Sequence, residues 1–82
     1  MKLLLSNSSQ KDLDKLSDEI TLKISKKLYD LALNPYMYGS EKLSGKKGYR
    51  IRIGDYRVVY TIDKVYKTVT IVKIKHRREV YR

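Results

Sequence analysis

The spacing of the apolar residues changes at Pro35, and this change constrains the fold more than any other feature of the chain. Before the proline, apolar residues recur every three or four positions, the period of one helix face; they are Leu13, Leu16, Ile20, Ile24, Leu28 and Leu31. From Tyr49 onward, apolar and charged residues alternate, which is typical of a strand with one buried face. The order of the two patterns predicts an α+β fold, with helices first and a sheet after them.

Two helices are predicted before Pro35, over residues 8–16 and 18–33. Ser17 is followed by two acidic residues, which is the composition of a helix N-cap and first turn, and it divides the apolar stripe at that point. A single long helix is the alternative. In either case the pattern ends at Asn34, because the residue before a proline avoids helical backbone.

Short strands are predicted on both sides of these helices. Gly54-Asp55 separates two alternating runs, and glycine at the first of two turn residues is typical of a type II′ hairpin turn. Residues 3–5 are expected to form a short buried strand. The other predicted strands are 41–43 at a sheet edge, 49–53, 56–62 and 68–75, with 76–82 as a terminal strand or tail. The expected architecture is a short N-terminal strand, a helical hairpin and an antiparallel β-meander with the helices on one face, in a single domain of residues 1–82.

Basic residues are concentrated in the second half of the chain. The sequence has 19 lysines and arginines against nine acidic residues, a formal net charge of +10, and every arginine lies at position 50 or later. Such an imbalance favours a polyanionic partner, namely nucleic acid, an anionic membrane or an acidic protein. No apolar run approaches the roughly 18 residues of a membrane-spanning helix.

A two-residue turn would pair Ile53 with Tyr56 and Arg52 with Arg57 on adjacent strands. Both arginines, with Arg50, would then lie on the face away from the apolar residues. Like charges directly opposite each other are destabilising, whereas guanidinium groups bind phosphate oxygens bidentately. This face is therefore predicted to be open and to bind phosphates; the alternative is that its arginines only solubilise the sheet or pair with carboxylates.

Other residue types narrow the chemistry. The absence of cysteine excludes disulfides and thiolate metal sites, and it favours a reducing, cytoplasmic location. His76 is the only histidine, so no metal site is expected, but its imidazole is a candidate proton acceptor. Tyr81 lies among basic residues and is a candidate for base stacking or proton transfer; the alternative is a tail residue pinned to the sheet.

One continuous run contains the predicted hairpin: Gly48-Tyr49-Arg50-Ile51-Arg52-Ile53-Gly54-Asp55-Tyr56-Arg57-Val58-Val59-Tyr60. It resembles the signature hairpin of the RelE/ParE toxin superfamily, and Leu43-Ser44-Gly45 before it resembles the Leu-x-Gly of that family. The ending His76-Arg77-Arg78-Glu79-Val80-Tyr81 resembles the RelE branch. The resemblance implies a RelE-like fold and a type II toxin–antitoxin toxin. It further implies a metal-independent endoribonuclease, without a cofactor, that cleaves mRNA in the ribosomal A site and so inhibits translation.

The resemblance also implies a mechanism and the residues that carry it out. The ribose 2′-hydroxyl attacks the adjacent phosphate and leaves a 2′,3′-cyclic phosphate. By position, Arg57 matches the catalytic arginine of the family, and Arg77 (or Arg78) matches the basic residue near the end of the last strand. Tyr81 matches the C-terminal tyrosine that stacks on the substrate base.

Arg50 and Arg52 stand where better-known RelE members have two lysines. Because an arginine does not give up its proton, the nearest candidates for a base are His76 and Tyr81. The complete predicted site comprises the catalytic residues Arg52, Arg57, His76, Arg77, Arg78 and Tyr81, and the RNA-binding residues Lys46, Lys47, Arg50, Arg52 and Lys75.

The implied partners are an acidic, RelB-like antitoxin that folds on binding and the ribosome with mRNA in its A site; no membrane partner is expected. The helical pair and the open sheet face are the expected contacts of the antitoxin. Two other functions stay open: a ParE-like topoisomerase inhibitor, and a catalytically weak member of the fold that only binds RNA or antitoxin.

Overall fold

The computed structural model describes residues 1–45 and 47–77. Its elements, in chain order, are β1 (Lys2–Leu5), α1 (Asn7–Asp14), α2 (Asp18–Leu33), β2 (Glu41–Lys42), β3 (Tyr49–Ile53), β4 (Tyr56–Asp63) and β5 (Thr68–His76). The strands form one sheet in the order β1-β5-β4-β3-β2. Strands β2 to β5 pair antiparallel as a meander, and β1 pairs with β5 in parallel. The predicted α+β class and element order are confirmed.

Two separate helices precede Pro35, because a serine starts each of them. The Ser6 hydroxyl accepts a hydrogen bond from the Ser9 amide at 3.0 Å, and the Ser17 hydroxyl accepts one from the Ile20 amide at 3.3 Å. Both serines have extended backbone, with ψ of 160° and 158°, so Ser17 interrupts the helical path that a single long helix would need. Among the described residues, neither helix is both long and apolar enough to span a bilayer.

The first strand is not buried, contrary to the sequence prediction. Strand β1 lies at the edge of the sheet, where only β5 pairs with it. Leu3 packs against the core, but Leu4 and Leu5 are 52% and 37% exposed. Three consecutive leucines are typical of a strand that is covered on both faces; here they lie on an edge strand of a sheet whose second face is open.

Beyond Leu5, helix α1 takes the place of β1 along the edge of β5. Polar side chains of α1 and of its N-cap, Ser6, bond to backbone groups of that strand. These bonds run from Ser6 Oγ to Val72 O (2.8 Å), from Ser9 Oγ to Ile71 O (2.9 Å) and from Ile74 N to Asp12 Oδ2 (3.0 Å). The helix thereby satisfies donors and acceptors that an open sheet edge would leave unpaired.

The core lies between α2 and one face of the sheet. The helix contributes Ile24, Leu28 and Leu31, and the strands contribute Ile51, Ile53, Val58, Tyr60, Val69, Ile71 and Ile74, all less than 6% exposed. Because side chains alternate along a strand, the residues between these apolar positions point to the opposite face. That opposite face carries the arginines of β3 and β4.

Tyr60 ties the end of α2 to the sheet. Its ring is fully buried, and its hydroxyl donates a hydrogen bond to the buried carbonyl of Pro35 at 2.8 Å. Burial raises the pKa of the Tyr60 phenol above its ordinary value of 10.0, and the neighbouring Tyr49 and Tyr36 add to the rise, against an opposing hydrogen bond with Ser40. The neutral phenol is therefore the form that the fold favours.

We expect Tyr60→Phe to lower stability by about 1–3 kcal/mol, because the buried Pro35 carbonyl loses its partner. For a chain of this size that corresponds to a fall in Tm of about 4–8 °C per kcal/mol. The raised pKa has a second consequence: the contribution of Tyr60 is fully present below pH 10 and is lost as the pH rises through its folded-state pKa. Thermal unfolding near neutral pH and again above about pH 10 measures both effects. Tyr66→Phe, in the exposed β4–β5 turn, is the matched control, and equal melting of the two variants would contradict the assignment.

Candidate functional site

The β3–β4 hairpin places two arginines directly opposite each other. Its register pairs Ile53 with Tyr56 and Arg52 with Arg57, which confirms the predicted pairing. Of the two turn residues only Gly54 has a positive φ, at 59°. A positive φ at the first turn position alone is the pattern of a type II′ turn, and glycine adopts it without strain.

The β4–β5 pairing adds a third cation to this face. Arg57 lies opposite Lys75, so Arg52, Arg57 and Lys75 follow one another across three neighbouring strands. Directly opposite residues have Cβ atoms roughly 4.5–5.5 Å apart, at which distance like charges destabilise a sheet. These three residues are called the basic row below. Their juxtaposition does not stabilise the fold, and it creates a surface that attracts anions.

An open cavity of about 130 Å³ adjoins the basic row. It is lined by Gly39, Glu41, Arg50, Ile51, Arg52 and Arg57. The volume lies below the roughly 300–1,000 Å³ of pockets that enclose whole ligands. A cavity of this size, with three guanidinium groups in its wall, suits a single anionic group such as a phosphate.

Glu41 is a residue of this site that the sequence reasoning missed. It lies on β2 opposite Arg50, and its Oε2 accepts hydrogen bonds from Arg50 Nε at 3.2 Å and Nη2 at 3.0 Å. Of the described residues that line the cavity, Glu41 alone is acidic. It therefore supplies what the arginines lack, which is a group that accepts a proton.

The charges beside the basic row are partly compensated within the protein. Lys73 Nζ lies 3.3 Å from Asp12 Oδ1 and 2.9 Å from Ser8 Oγ, and Arg50 pairs with Glu41. Arg52 Nε donates to the carbonyl of Gly54 at 3.2 Å, which orients the guanidinium without neutralising it. Lys73 and Arg50 on this face thus each have a carboxylate partner.

His76 and Arg77 lie away from the cavity. The ring of His76 packs edge-on against Tyr56, with centroids 5.1 Å apart. His76 and Tyr56 are partners in the sheet register. Because side chains alternate along a strand, both lie on the helix side of the sheet, and Arg57 lies on the other face. Arg77 is held at the β3–β4 turn, where its amide donates to Asp55 O at 2.7 Å and its guanidinium lies 3.9 Å from the Asp55 carboxylate. The catalytic roles of both residues stay predictions.

The remaining predicted site residues are Lys47, which is exposed in the loop before β3, and three that lie outside the described residues, Lys46, Arg78 and Tyr81. Within residues 1–45 and 47–77, no three His, Cys, Asp or Glu side chains come together in a way that could hold a metal ion. Among the described residues, the site is thus a cavity with three arginines and Glu41 in its wall, and Lys75 continues the basic row beside it on β5.

Comparisons with known proteins agree on one family. The family model for the ParE toxin of the type II toxin–antitoxin system parDE matches residues 3–81. Toxin RelG of Mycobacterium tuberculosis is 31% identical over 81 residues, which cover 94% of this chain and 91% of the relative. The toxin–antitoxin complex RelBE2 of M. tuberculosis contains a chain with a TM-score of 0.84 and 26% identity, covering 93% of this chain and 96% of that one. The isolated RelE toxin of Escherichia coli gives a TM-score of 0.80 and 26% identity, covering 98% of this chain and 89% of that one.

Proposed function

Because this chain belongs to the RelE/ParE superfamily of type II toxin–antitoxin toxins, we propose that it is a ribosome-dependent mRNA endoribonuclease. The observation that carries the proposal is the basic row beside Glu41. Arg52 and Arg57 face each other next to a cavity that also contains a carboxylate. Cleavage of RNA by its own 2′-hydroxyl needs these two functions, a cationic site for the phosphate and a proton acceptor.

In the proposed reaction, the ribose 2′-oxygen bonds to the adjacent phosphorus and the bond from phosphorus to the 5′-oxygen breaks. The products carry a 2′,3′-cyclic phosphate and a 5′-hydroxyl. Arg52 and Arg57 hold the non-bridging phosphate oxygens, on which negative charge grows in the transition state. Glu41 removes the proton of the 2′-hydroxyl. The proton that the 5′-oxygen gains comes from an acid, for which Tyr81 is the candidate because its phenol can transfer a proton.

The ribosome supplies the substrate in this proposal. A small chain with a charge of +10 is attracted to ribosomal and messenger RNA through their phosphates. The cavity holds little more than one phosphate, so the positioning of the neighbouring nucleotides falls to the ribosome and to the cavity's rim. The proposed location is the cytoplasm, where translation takes place.

Incubation of the purified chain with mRNA-programmed ribosomes tests the proposal. We expect cleavage at codons in the A site, with a 2′,3′-cyclic phosphate on the upstream fragment, and much slower cleavage of the same mRNA without ribosomes. The matched control is the chain with alanine at Arg57. Intact mRNA after incubation with the unaltered chain would overturn the endoribonuclease proposal.

We expect the binding of single-stranded RNA to weaken steeply with salt. Each neutralised phosphate contributes about −0.7 to the slope of log affinity against log salt, so three phosphates on the basic row give about −2. Removing Arg57 should make the slope shallower by about 0.7. Fluorescence anisotropy of a labelled oligonucleotide over a salt series measures both slopes. A slope near zero for the unaltered chain would contradict a phosphate-binding face.

A second candidate function is favoured by the description of the matching family, whose members are ParE toxins. A ParE-like chain would inhibit a topoisomerase and would not need Glu41. A DNA supercoiling assay separates the candidates, because inhibition of supercoiling with intact mRNA favours the second. If the chain neither cleaves mRNA nor inhibits supercoiling but still binds RNA or antitoxin, it is a catalytically weak member of the fold.

We also propose an acidic antitoxin as partner, as in the solved toxin–antitoxin complex that this chain resembles. Helix α2 has an exposed apolar stripe of Leu22, Tyr29 and Leu33, spaced by seven and four residues. This spacing defines one helix face, which points away from the core. An amphipathic acidic segment would cover such a stripe and complement the positive charge of the chain.

A further inference from the structure

The loop of residues 34–40, between α2 and β2, is braced by a stack of tyrosines. The ring of Tyr36 meets Tyr49 edge-on with centroids 5.7 Å apart, and Tyr49 stacks on Tyr60 at 5.8 Å. Two backbone hydrogen bonds close turns inside the loop, from Met37 N to Asn34 O at 3.1 Å and from Ser40 N to Met37 O at 3.0 Å. These contacts hold the backbone of the loop in place, and with it the starting positions of the side chains that do not pack against the sheet.

Tyr38 takes no part in this bracing, since it is 100% exposed. A single exposed aromatic ring is common at protein surfaces, so exposure alone says little about function. The position of this ring is the informative feature. The next residue, Gly39, forms part of the cavity wall, together with Arg50, Arg52 and Arg57.

The backbone at Gly39 fixes the place of Tyr38 relative to the cavity. Gly39 has a φ of +94°, a conformation that side chains rarely adopt, and the chain turns there towards β2. Consecutive Cα atoms are about 3.8 Å apart, so the side chain of Tyr38 starts at the rim of the cavity. Proteins hold single-stranded nucleic acid by this combination, with cations on the phosphates and aromatic rings on the bases.

We propose that the ring of Tyr38 stacks on the base of a nucleotide that flanks the phosphate held by the basic row. The inference rests on the proposed function and adds a positioning residue to it. Stacking on this ring orients the strand while Arg52 and Arg57 hold the phosphate. It gives little base preference, because every base has a π face.

Steady-state cleavage over a range of concentrations of programmed ribosomes is the first test. We expect Tyr38→Ala to lose about 5- to 150-fold in kcat/KM, the range expected when an aromatic that stacks on a base is removed, with most of the loss in KM. Tyr38→Phe should be close to the unaltered chain, since it keeps the ring. Tyr66→Ala is the matched control, because Tyr66 is 77% exposed in the β4–β5 turn. A normal kcat/KM for Tyr38→Ala, or a loss equal to that of the control, would overturn the inference.

Fluorescence provides a second test that does not depend on cleavage. The chain has no tryptophan, so Tyr38→Trp and Tyr66→Trp each introduce a single reporter. We expect a short 2′-O-methylated RNA oligonucleotide to quench Tyr38→Trp saturably and to leave Tyr66→Trp nearly unchanged. Equal responses, or none, would overturn the inference. If the unaltered chain cleaves no mRNA, the proposed function fails while this comparison still decides whether Tyr38 stacks on RNA.

Discussion

Arg57→Ala is expected to abolish toxicity and to slow mRNA cleavage by about 10²- to 10³-fold or more, the cost of removing one group that stabilises transition-state charge. Arg57 lies in the middle of the basic row and lines the cavity, so it is placed to contact the phosphate oxygens directly. The fold should persist, because the substitution also removes a like charge opposite Arg52. Single-turnover cleavage, growth of cells that express the variant, and thermal unfolding are the measurements.

Two controls separate a catalytic role from general electrostatics. Lys64→Ala removes one positive charge from the turn at the other end of β4. If Arg57 acted only through its net charge, mRNA cleavage by Lys64→Ala would be slowed as much as cleavage by Arg57→Ala. Arg57→Lys keeps the charge but loses the bidentate fork, and we expect it to restore only part of the activity. A Tm lowered by many degrees in Arg57→Ala, or undiminished cleavage, would show that this arginine has been assigned the wrong role.

The hairpin at the centre of the site could be predicted because its geometry is local. Gly54-Asp55 leaves only two residues for the turn, and a turn of that length fixes the register of the flanking strands. Alternation then assigns each side chain to a face, so the opposition of Arg52 and Arg57 follows from the sequence alone. The two ends of α2 could be predicted for the same reason, because Ser17 caps its start and Pro35 limits its end.

Lys75 shows where such local reasoning ends. The β4–β5 register begins with Asp63 opposite Thr68, and continued without a break it would place Arg57 opposite Ile74. A bulge next to Val59 and Tyr60 shifts the register by one residue, so that Arg57 lies opposite Lys75 instead. The bulge keeps the apolar residues of both strands on the core face. The sequence signal for it is the three-residue step from Ile71 to Ile74, which breaks the two-residue spacing of Val69 and Ile71, and the sequence prediction did not use it.

Non-local contacts account for the other differences between the sequence prediction and the structure. The sequence gives no signal that β1 returns to pair with β5 in parallel at an edge, so the exposure of Leu4 and Leu5 could not be foreseen. Glu41 was missed for a related reason. The strand around it was predicted, but the loop between β2 and β3 is too long to fix their register, and only the structure pairs Glu41 with Arg50.

Glu41→Gln is expected to slow cleavage by about 10²- to 10⁴-fold, the range for loss of a general base, while RNA binding changes little. Glutamine keeps the length of the side chain and an oxygen that accepts from Arg50, but it does not accept the 2′-hydroxyl proton. Stability should hardly change, because an exposed ion pair contributes about 0–1 kcal/mol. Single-turnover rates at saturating enzyme, with anisotropy for binding, separate the two effects.

A purely structural role for Glu41 makes a different set of expectations. If the carboxylate only orients Arg50 through the 3.0 Å ion pair, then Glu41→Gln, which keeps an oxygen that accepts from Arg50, should retain most of the activity. Glu41→Ala, Arg50→Ala and the double variant should then all lose similar activity, as members of one unit do. If Glu41 is the base, the two single losses should differ, and Arg50→Ala should weaken phosphate binding while Glu41→Gln does not. Full activity of Glu41→Gln would show that Glu41 is not the base and that the base is a residue outside the cavity. Tyr81→Phe would then be the next variant to measure, because Tyr81 and His76 are the other candidates for the base.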